Sequence, residues 1–190
     1  VNLPRPSNHR LPSELAPDCQ ALVIPGPESF TLGAWSCERG PETPLVLMFH
    51  GYATEKTALL PEARALLDLG ASVLLVDFRG SGDSSGDSTT IGMDEADDVA
   101  AVLHYAEGHF VHSRIYLFGQ SMGAAAVLRA VQVHALRPQG VIVEAVFDTM
   151  RQTVGNRFRA MGLPAFPGAE LLVFWGGWQA GFNGFRHNPV

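Results

Sequence analysis

Four short apolar-rich runs punctuate the chain, at 45–49, 71–76, 115–118 and 141–147, interrupted only by Ser72 and Glu144. Near-continuous β-prone runs of this length suit strands covered on both faces of a sheet. The stretches before them, 19–24 and 29–37, read as a hairpin turned by Pro25-Gly26-Pro27-Glu28, with Phe30, Leu32 and Ala34 on one face. Between the buried runs, apolar residues recur at helical spacing. Leu59, Leu60, Ala63, Leu66 and Leu67 do so after two candidate caps, Thr54 and Thr57, and Gly70 ends that helix. Val99, Val102, Leu103 and Ala106 mark a second helix starting near Met93, and the alanine-rich run after Gly123 marks a third. Strand, helix, strand in this order predicts parallel pairing through right-handed crossovers. The fold class is therefore α/β, a mostly parallel sheet with an N-terminal antiparallel hairpin and helices on both faces.

The two ends lack this rhythm. Residues 1–18, rich in proline and polar groups, read as an irregular lead-in. Residues 151–161 read as a short basic helix, followed by breaks at Gly162, Pro164 and Pro167. Residues 170–178 fit strand or helix equally. Their aromatic stripe, continued by Phe182 and Phe185, suits core packing or the wall of an apolar pocket or lid.

Composition narrows the class of protein. The chain has 190 residues, 46% hydrophobic and 17% charged, which suits one folded domain with a real core. The formal net charge is −6, and basic residues form no cluster, which argues against a nucleic-acid partner. No apolar run reaches transmembrane length, and no signal peptide is evident. Cys19 and Cys37 are too few for a metal site or a disulfide scaffold. They fall nearly opposite each other across the hairpin. The reading is two free buried thiols, with a disulfide open to them in an oxidising compartment.

The chemistry concentrates where strand 115–118 meets the third helix, at Gly119-Gln120-Ser121-Met122-Gly123. A serine at a tight strand-to-helix corner is pushed out of the sheet. Glycines at both flanks remove the Cβ atoms that would collide there. The helix beginning at Ser121 directs its N–H groups and positive end to the same place, where a developing negative charge would be stabilised. The bland alternative is a serine capping an ordinary crossover helix.

The glycine-rich stretch 77–86 follows a strand but lacks an immediate helix and a Gly-Lys-Ser/Thr, so it fits neither nucleotide fingerprint. Gly80 and Gly82 are expected to let this loop cross close to the Ser121 corner, with Asp77 and Arg79 pinning it by charge-assisted bonds. Asp94, Glu95, Asp97 and Asp98 read as a helix-start cluster plus a solvated face, not a metal site. His104, His109 and His112 read as surface or capping residues. Asp148, at the tip of the last run, lies at the carboxyl end of the sheet, where open α/β folds place their chemistry.

Three motifs in order, Phe49-His50-Gly51-Tyr52, the segment from Asp77-Phe78-Arg79-Gly80 to Gly86, and Gly119-Gln120-Ser121-Met122-Gly123, resemble the α/β-hydrolase superfamily. The nearest branch is the serine-aminopeptidase-like and acylaminoacyl-peptidase-like hydrolases, over about residues 20–190. The resemblance implies Ser121 as nucleophile and the backbone N–H groups of Tyr52 and Met122 as oxyanion donors. It implies supporting roles for His50, Gly51, Asp77, Arg79, Gly119, Gln120 and Gly123. It implies a small-molecule acyl substrate (ester, thioester, small amide or peptide), a covalent acyl-enzyme and no cofactor.

In that family the acid follows a seventh strand and the base an eighth. Only 69 residues (190 − 121) follow Ser121, with one further strand placed. The expectation is therefore a partial hydrolase domain over 19–190, its 150–190 part a piece of cap, lid or pocket wall. It would be cut before the acid, the base and strands seven and eight, and be inactive by itself. The first residue, Val1, points the same way at the other end.

A self-contained alternative uses Asp148 as acid and His187, or failing that His134, as base. Two rival classes stand beside these readings. One is a non-catalytic α/β domain that binds an apolar ligand or a partner, or associates with itself, through an unfinished sheet edge. The other is a carbon–carbon or ether-bond enzyme on the same fold; some of these place an aspartate at the nucleophile position, a variant against which Ser121 argues.

Overall fold

Alternation along the central strands decides the layering. In β3 (Leu45–Phe49), Leu45, Leu47 and Phe49 point to one face of the sheet and Val46 and Met48 to the other, all nearly inaccessible to solvent. In the computed structural model, which describes residues 6–110, 114–145, 154–156, 158–159 and 162–179, six strands pair in the order β1-β2-β4-β3-β5-β6. The others are β1 (Gln20–Pro25), β2 (Thr31–Cys37), β4 (Ser72–Val76), β5 (Ile115–Gln120) and β6 (Gly140–Glu144). The first two strands pair antiparallel, β2 pairs antiparallel with β4, and the remaining ladders are parallel. The expected mixed sheet with its N-terminal hairpin is what forms.

Helices cover both faces. On one, α2 (Glu95–His109) and α3 (Met122–Val133) bring Val99, Val102, Met122 and Val127 against Leu47, Phe49 and Leu74. On the other, α1 (Leu60–Asp68) brings Leu60, Ala63 and Leu67 against Trp35, Met48 and Leu75. α4 (Gly168–Gln179) settles the ambiguous aromatic stretch as helix. Phe166, Leu171, Leu172, Phe174, Trp175 and Trp178 in and before it stand open to solvent. Phe182 and Phe185 lie outside the described residues, as does most of the expected basic helix at 151–161; 154–156 and 158–159 are helical.

Three expectations need correction. Cys19 and Cys37 are bonded as a disulfide. The register that sets Gln20 opposite Ser36 puts the two cysteines face to face at the strand ends. Neither Thr54 nor Thr57 caps α1. A 3-10 turn, Lys56–Leu59, leads into the helix, and the Glu55 side chain accepts the Thr57 N–H at its start. Of the acids at the start of α2, Asp94 and Asp97 are exposed as a solvated face should be, but Glu95 and Asp98 are fully buried on structural duties.

Parallel pairing sorts the connections by end. The segments after β3, β4, β5 and β6 all emerge at the carboxyl end of the sheet, and the turns into those strands lie at the other.

Candidate active site

At the carboxyl end the chain turns from β5 into α3 at Ser121, whose backbone adopts φ 53° and ψ −111°. A non-glycine residue in this region is strained and persists only where the surroundings over-determine it. They do so here. The Ser121 N–H donates to the Glu144 carbonyl at 2.8 Å, and its own carbonyl accepts the Ala125 N–H at 3.2 Å. A Cβ on Gly123 would collide with the Phe49 carbonyl and lie 2.7 Å from that of His50. One on Gly119 would lie 2.5 Å from the Gly123 carbonyl oxygen. Gln120 ends β5 opposite Glu144, and Met122 opens α3, where first-turn N–H groups have no intrahelical acceptor.

Loop 50–55 packs against this corner: a Cβ built on Gly51 would stand 3.5 Å from the Ser121 Cβ. His50 is fully buried. Its Nε2 accepts the Phe78 N–H at 3.1 Å, so its proton sits on Nδ1, which donates to the Gly51 carbonyl at 2.7 Å. Burial holds the imidazole below its ordinary pKa, with the charge of Asp77 partly opposing. His50 is therefore a neutral strut whose two nitrogens are both committed. Tyr52, half-buried, packs at the margin of the core next in sequence.

Asp77 anchors the same loop from β4. Its carboxylate accepts the Lys56 N–H at 2.7 Å, the Lys56 ammonium at 2.5 Å and the Asp83 N–H at 2.8 Å. Lys56, the chain's single lysine, is fully buried, reaches Asp83 at 2.7 Å and lies 5.2 Å from the Trp35 ring centre. Sequence reading passed over it; a lone lysine in an otherwise arginine-only chain was the available signal. Arg79 instead pairs with Asp98, its Nη2 2.8 Å from Oδ1, and its guanidinium lies 5.0 Å from the Phe30 ring centre. Burial opposes that charge, but the Asp98 hydrogen bonds and the surrounding acids outweigh it and hold Arg79 above its ordinary range.

Asp77 and Arg79 thus pin the loop as expected, each to a different partner. The two glycines serve another purpose than expected. A Cβ on Gly82 would collide with the Asp77 carboxylate, and one on Gly80 would lie 2.6 Å from the Ser88 carbonyl oxygen, so both permit the loop's own fold. The part that reaches the Ser121 corner is 89–92. Glu95 holds it through Thr89, Thr90 and Gly92, and Thr89 Oγ1 lies 3.6 Å from the Met122 sulfur.

Asp148 and His187 lie outside the described residues. His134 sits at the far end of α3, about 20 Å of helix from Ser121 by the 1.5 Å rise per residue. It bonds Asp97 there at 2.7 Å. A cleft bordered by Leu103, Phe110, Ile115 and Arg137 also belongs to that far end. Among the described residues no group of three or more His, Cys, Asp or Glu could hold a metal ion, and no helix is long and apolar enough to cross a membrane.

The chain is similar to known proteins in sequence and in fold. The family model described as serine aminopeptidase, S33, matches residues 40–166. An uncharacterized protein of Mycobacterium tuberculosis is 33% identical over 165 residues, 85% of this chain and 56% of its own. A lysophosphatidylserine lipase of Gallus gallus is 26% identical over 136 residues, 69% of this chain and 35% of its own. A solved esterase of Pyrococcus furiosus superposes with a TM-score of 0.80 at 25% identity, covering 98% of this chain and 69% of that one. The chain spans a little over half the length of the mycobacterial relative it matches.

Proposed function

The chain belongs to the serine aminopeptidase S33 family of the α/β-hydrolase superfamily, and from that premise we propose that its parent protein is a serine hydrolase acting through a covalent acyl-enzyme. Ser121 is the nucleophile. The observation that carries this reading is its strained backbone, at φ 53° on a corner whose flanking glycines leave no room for a Cβ. A base takes the Ser121 proton as Oγ attacks the substrate carbonyl. The tetrahedral oxyanion is held by the N–H groups of Tyr52 and Met122, and the leaving group departs with the proton carried by the base. Water, activated by the same base, then releases the acid. Removing one oxyanion donor typically costs about 3 kcal/mol of transition-state stabilisation.

The substrate class is an ester, thioester or small amide or peptide. Esters of apolar acids stand first, because the named relatives include an esterase and a lipase and the apolar segment 163–178 offers a wall for an acyl chain. The acid and base are supplied from sequence outside these 190 residues, a reading supported by the chain's partial span of its relatives. Asp148 with His187 is the self-contained alternative. The exposed apolar edge at β6 favours a second property, self-association of the chain through that strand.

The test is intact mass after incubation with a fluorophosphonate probe, for the 190-residue chain, the intact protein and Ser121→Ala. A single adduct on the intact protein, lost in the variant, is expected. An adduct on the folded 190-residue chain as well would put Asp148 and His187 in the roles of acid and base. No Ser121-dependent adduct on the intact protein would sink the serine-hydrolase reading.

A further inference from the structure

We propose that Thr54 is a positioning residue for the oxyanion donor at Tyr52, an assignment that rests on the serine-hydrolase reading. Loop 50–55 is fastened at both ends to two consecutive residues leaving β4. At its start His50 Nε2 takes the Phe78 N–H, and just beyond its end Lys56 gives both its backbone N–H and its ammonium to Asp77. Between these anchors, the Gly51 carbonyl is gripped by two donors. His50 Nδ1–H reaches it at 2.7 Å, and the Thr54 hydroxyl donates to it at 2.9 Å. The turn that brings Thr54 back is tight enough to put Ala53 at φ 56°.

The Gly51 carbonyl and the Tyr52 N–H belong to one peptide plane and point in opposite directions. Two donors on the oxygen, themselves 3.4 Å apart, therefore hold the bearing of the N–H. Gly51 itself borders Ser121, so this peptide starts beside the reacting serine. Two hydrogen bonds on the carbonyl also polarise the peptide and strengthen its N–H as a donor. Thr54 touches no reacting atom in this scheme; it acts through the Gly51–Tyr52 peptide. His50 alone supplies one hydrogen bond to the oxygen, and the Thr54 hydroxyl supplies the second.

The experiment uses the intact protein, with wild type, Thr54→Val, Thr54→Ala, Thr54→Ser and Ser121→Ala. Active sites are titrated with fluorophosphonate, and kcat and KM for p-nitrophenyl butyrate are measured separately. Loss of the hydroxyl in Thr54→Val and Thr54→Ala is expected to lower kcat about tenfold, below the ~10²–10³ that deleting a donor outright costs. KM should stay within about twofold, since an interaction made in the transition state is the one removed. Thr54→Ser, which keeps the hydroxyl, should restore kcat. Unchanged kcat per titrated site in both hydroxyl-free variants overturns the assignment, and so does a Thr54→Ser enzyme as impaired as Thr54→Val, which would reveal a packing role. Absence of Ser121-dependent turnover in the wild type removes the parent reading and this one together, an outcome distinct from the other two.

Discussion

At His50 the fold has chosen a protonation state. The ring accepts at Nε2 and donates at Nδ1, so a second proton would break the bond from the Phe78 N–H. Its pKa is lowered in the folded state, chiefly by burial, while the unfolded chain keeps the ordinary 6.5. Above pH 6.5 both states are neutral and the stability is complete. Below it the unfolded state binds the proton and the folded state does not, so stability falls as pH falls, by at most about 1.4 kcal/mol per pH unit, until the folded pKa is reached. Urea unfolding at pH 7.5, 6.0 and 5.0 should show this loss in the wild type and a shallower one in His50→Gln. Equal slopes for the two proteins would contradict it. In the sequence, the supporting role of this histidine is only what the resemblance of Phe49-His50-Gly51-Tyr52 to the α/β-hydrolases implies. That the support consists of two defined hydrogen bonds depends on Phe78, a contact no local pattern encodes.

Helix α2 begins with a carboxylate that organises the segment before it. Glu95 accepts from Thr89 Oγ1 at 2.6 Å, Thr90 N–H at 3.0 Å, Thr90 Oγ1 at 2.9 Å and Gly92 N–H at 2.7 Å. Ile91, between them, is held at φ 58°, a conformation that β-branched residues avoid. Glu95→Gln keeps the shape but offers one acceptor oxygen and turns an amide donor toward donors. It should cost about 2–3 kcal/mol, the penalty for buried groups left unpaired. Urea midpoints would register that loss, and faster amide hydrogen exchange at Ile91 and Gly92 would locate it; protection unchanged at those amides would refute the role. The element boundaries were legible where composition is one-sided. β3 falls on the run 45–49, and β4 and β5 begin within a residue of their apolar runs. Partners across sequence were not. Arg79 meets Asp98 nineteen residues on, and Asp77 meets Lys56 twenty-one residues back, choices made by the sheet and not by neighbours in the chain. The disulfide shows a related gap: the hairpin register was readable, whereas the oxidation of two facing thiols is redox chemistry that spacing does not encode. Helix α4 was ambiguous because a stretch apolar on every side has no period to read.

Across the whole molecule, the sheet is asymmetric from edge to edge and from end to end. At one edge, β6 has β5 as its only ladder neighbour among the described residues, and Val141, Ile142 and Val143 are 37%, 45% and 39% exposed. An apolar strand left this open invites pairing with a second copy. Sedimentation velocity of the 190-residue chain should therefore show concentration-dependent association, reduced in Ile142→Lys, where a charge on the edge opposes stacking. A concentration-independent monomer would remove the expectation. From end to end, loop 50–55, segment 89–92 and the Ser121 corner share one end, and the connection between β2 and β3 lies at the other. There Gly40 has nothing within 4 Å of its side-chain position, and its neighbours Pro41 and Glu42 are exposed. A peptide tag or surface linker inserted between Gly40 and Glu42 would tether every molecule by its back, so that an immobilised layer presents a uniform array of open serine corners to the passing solution.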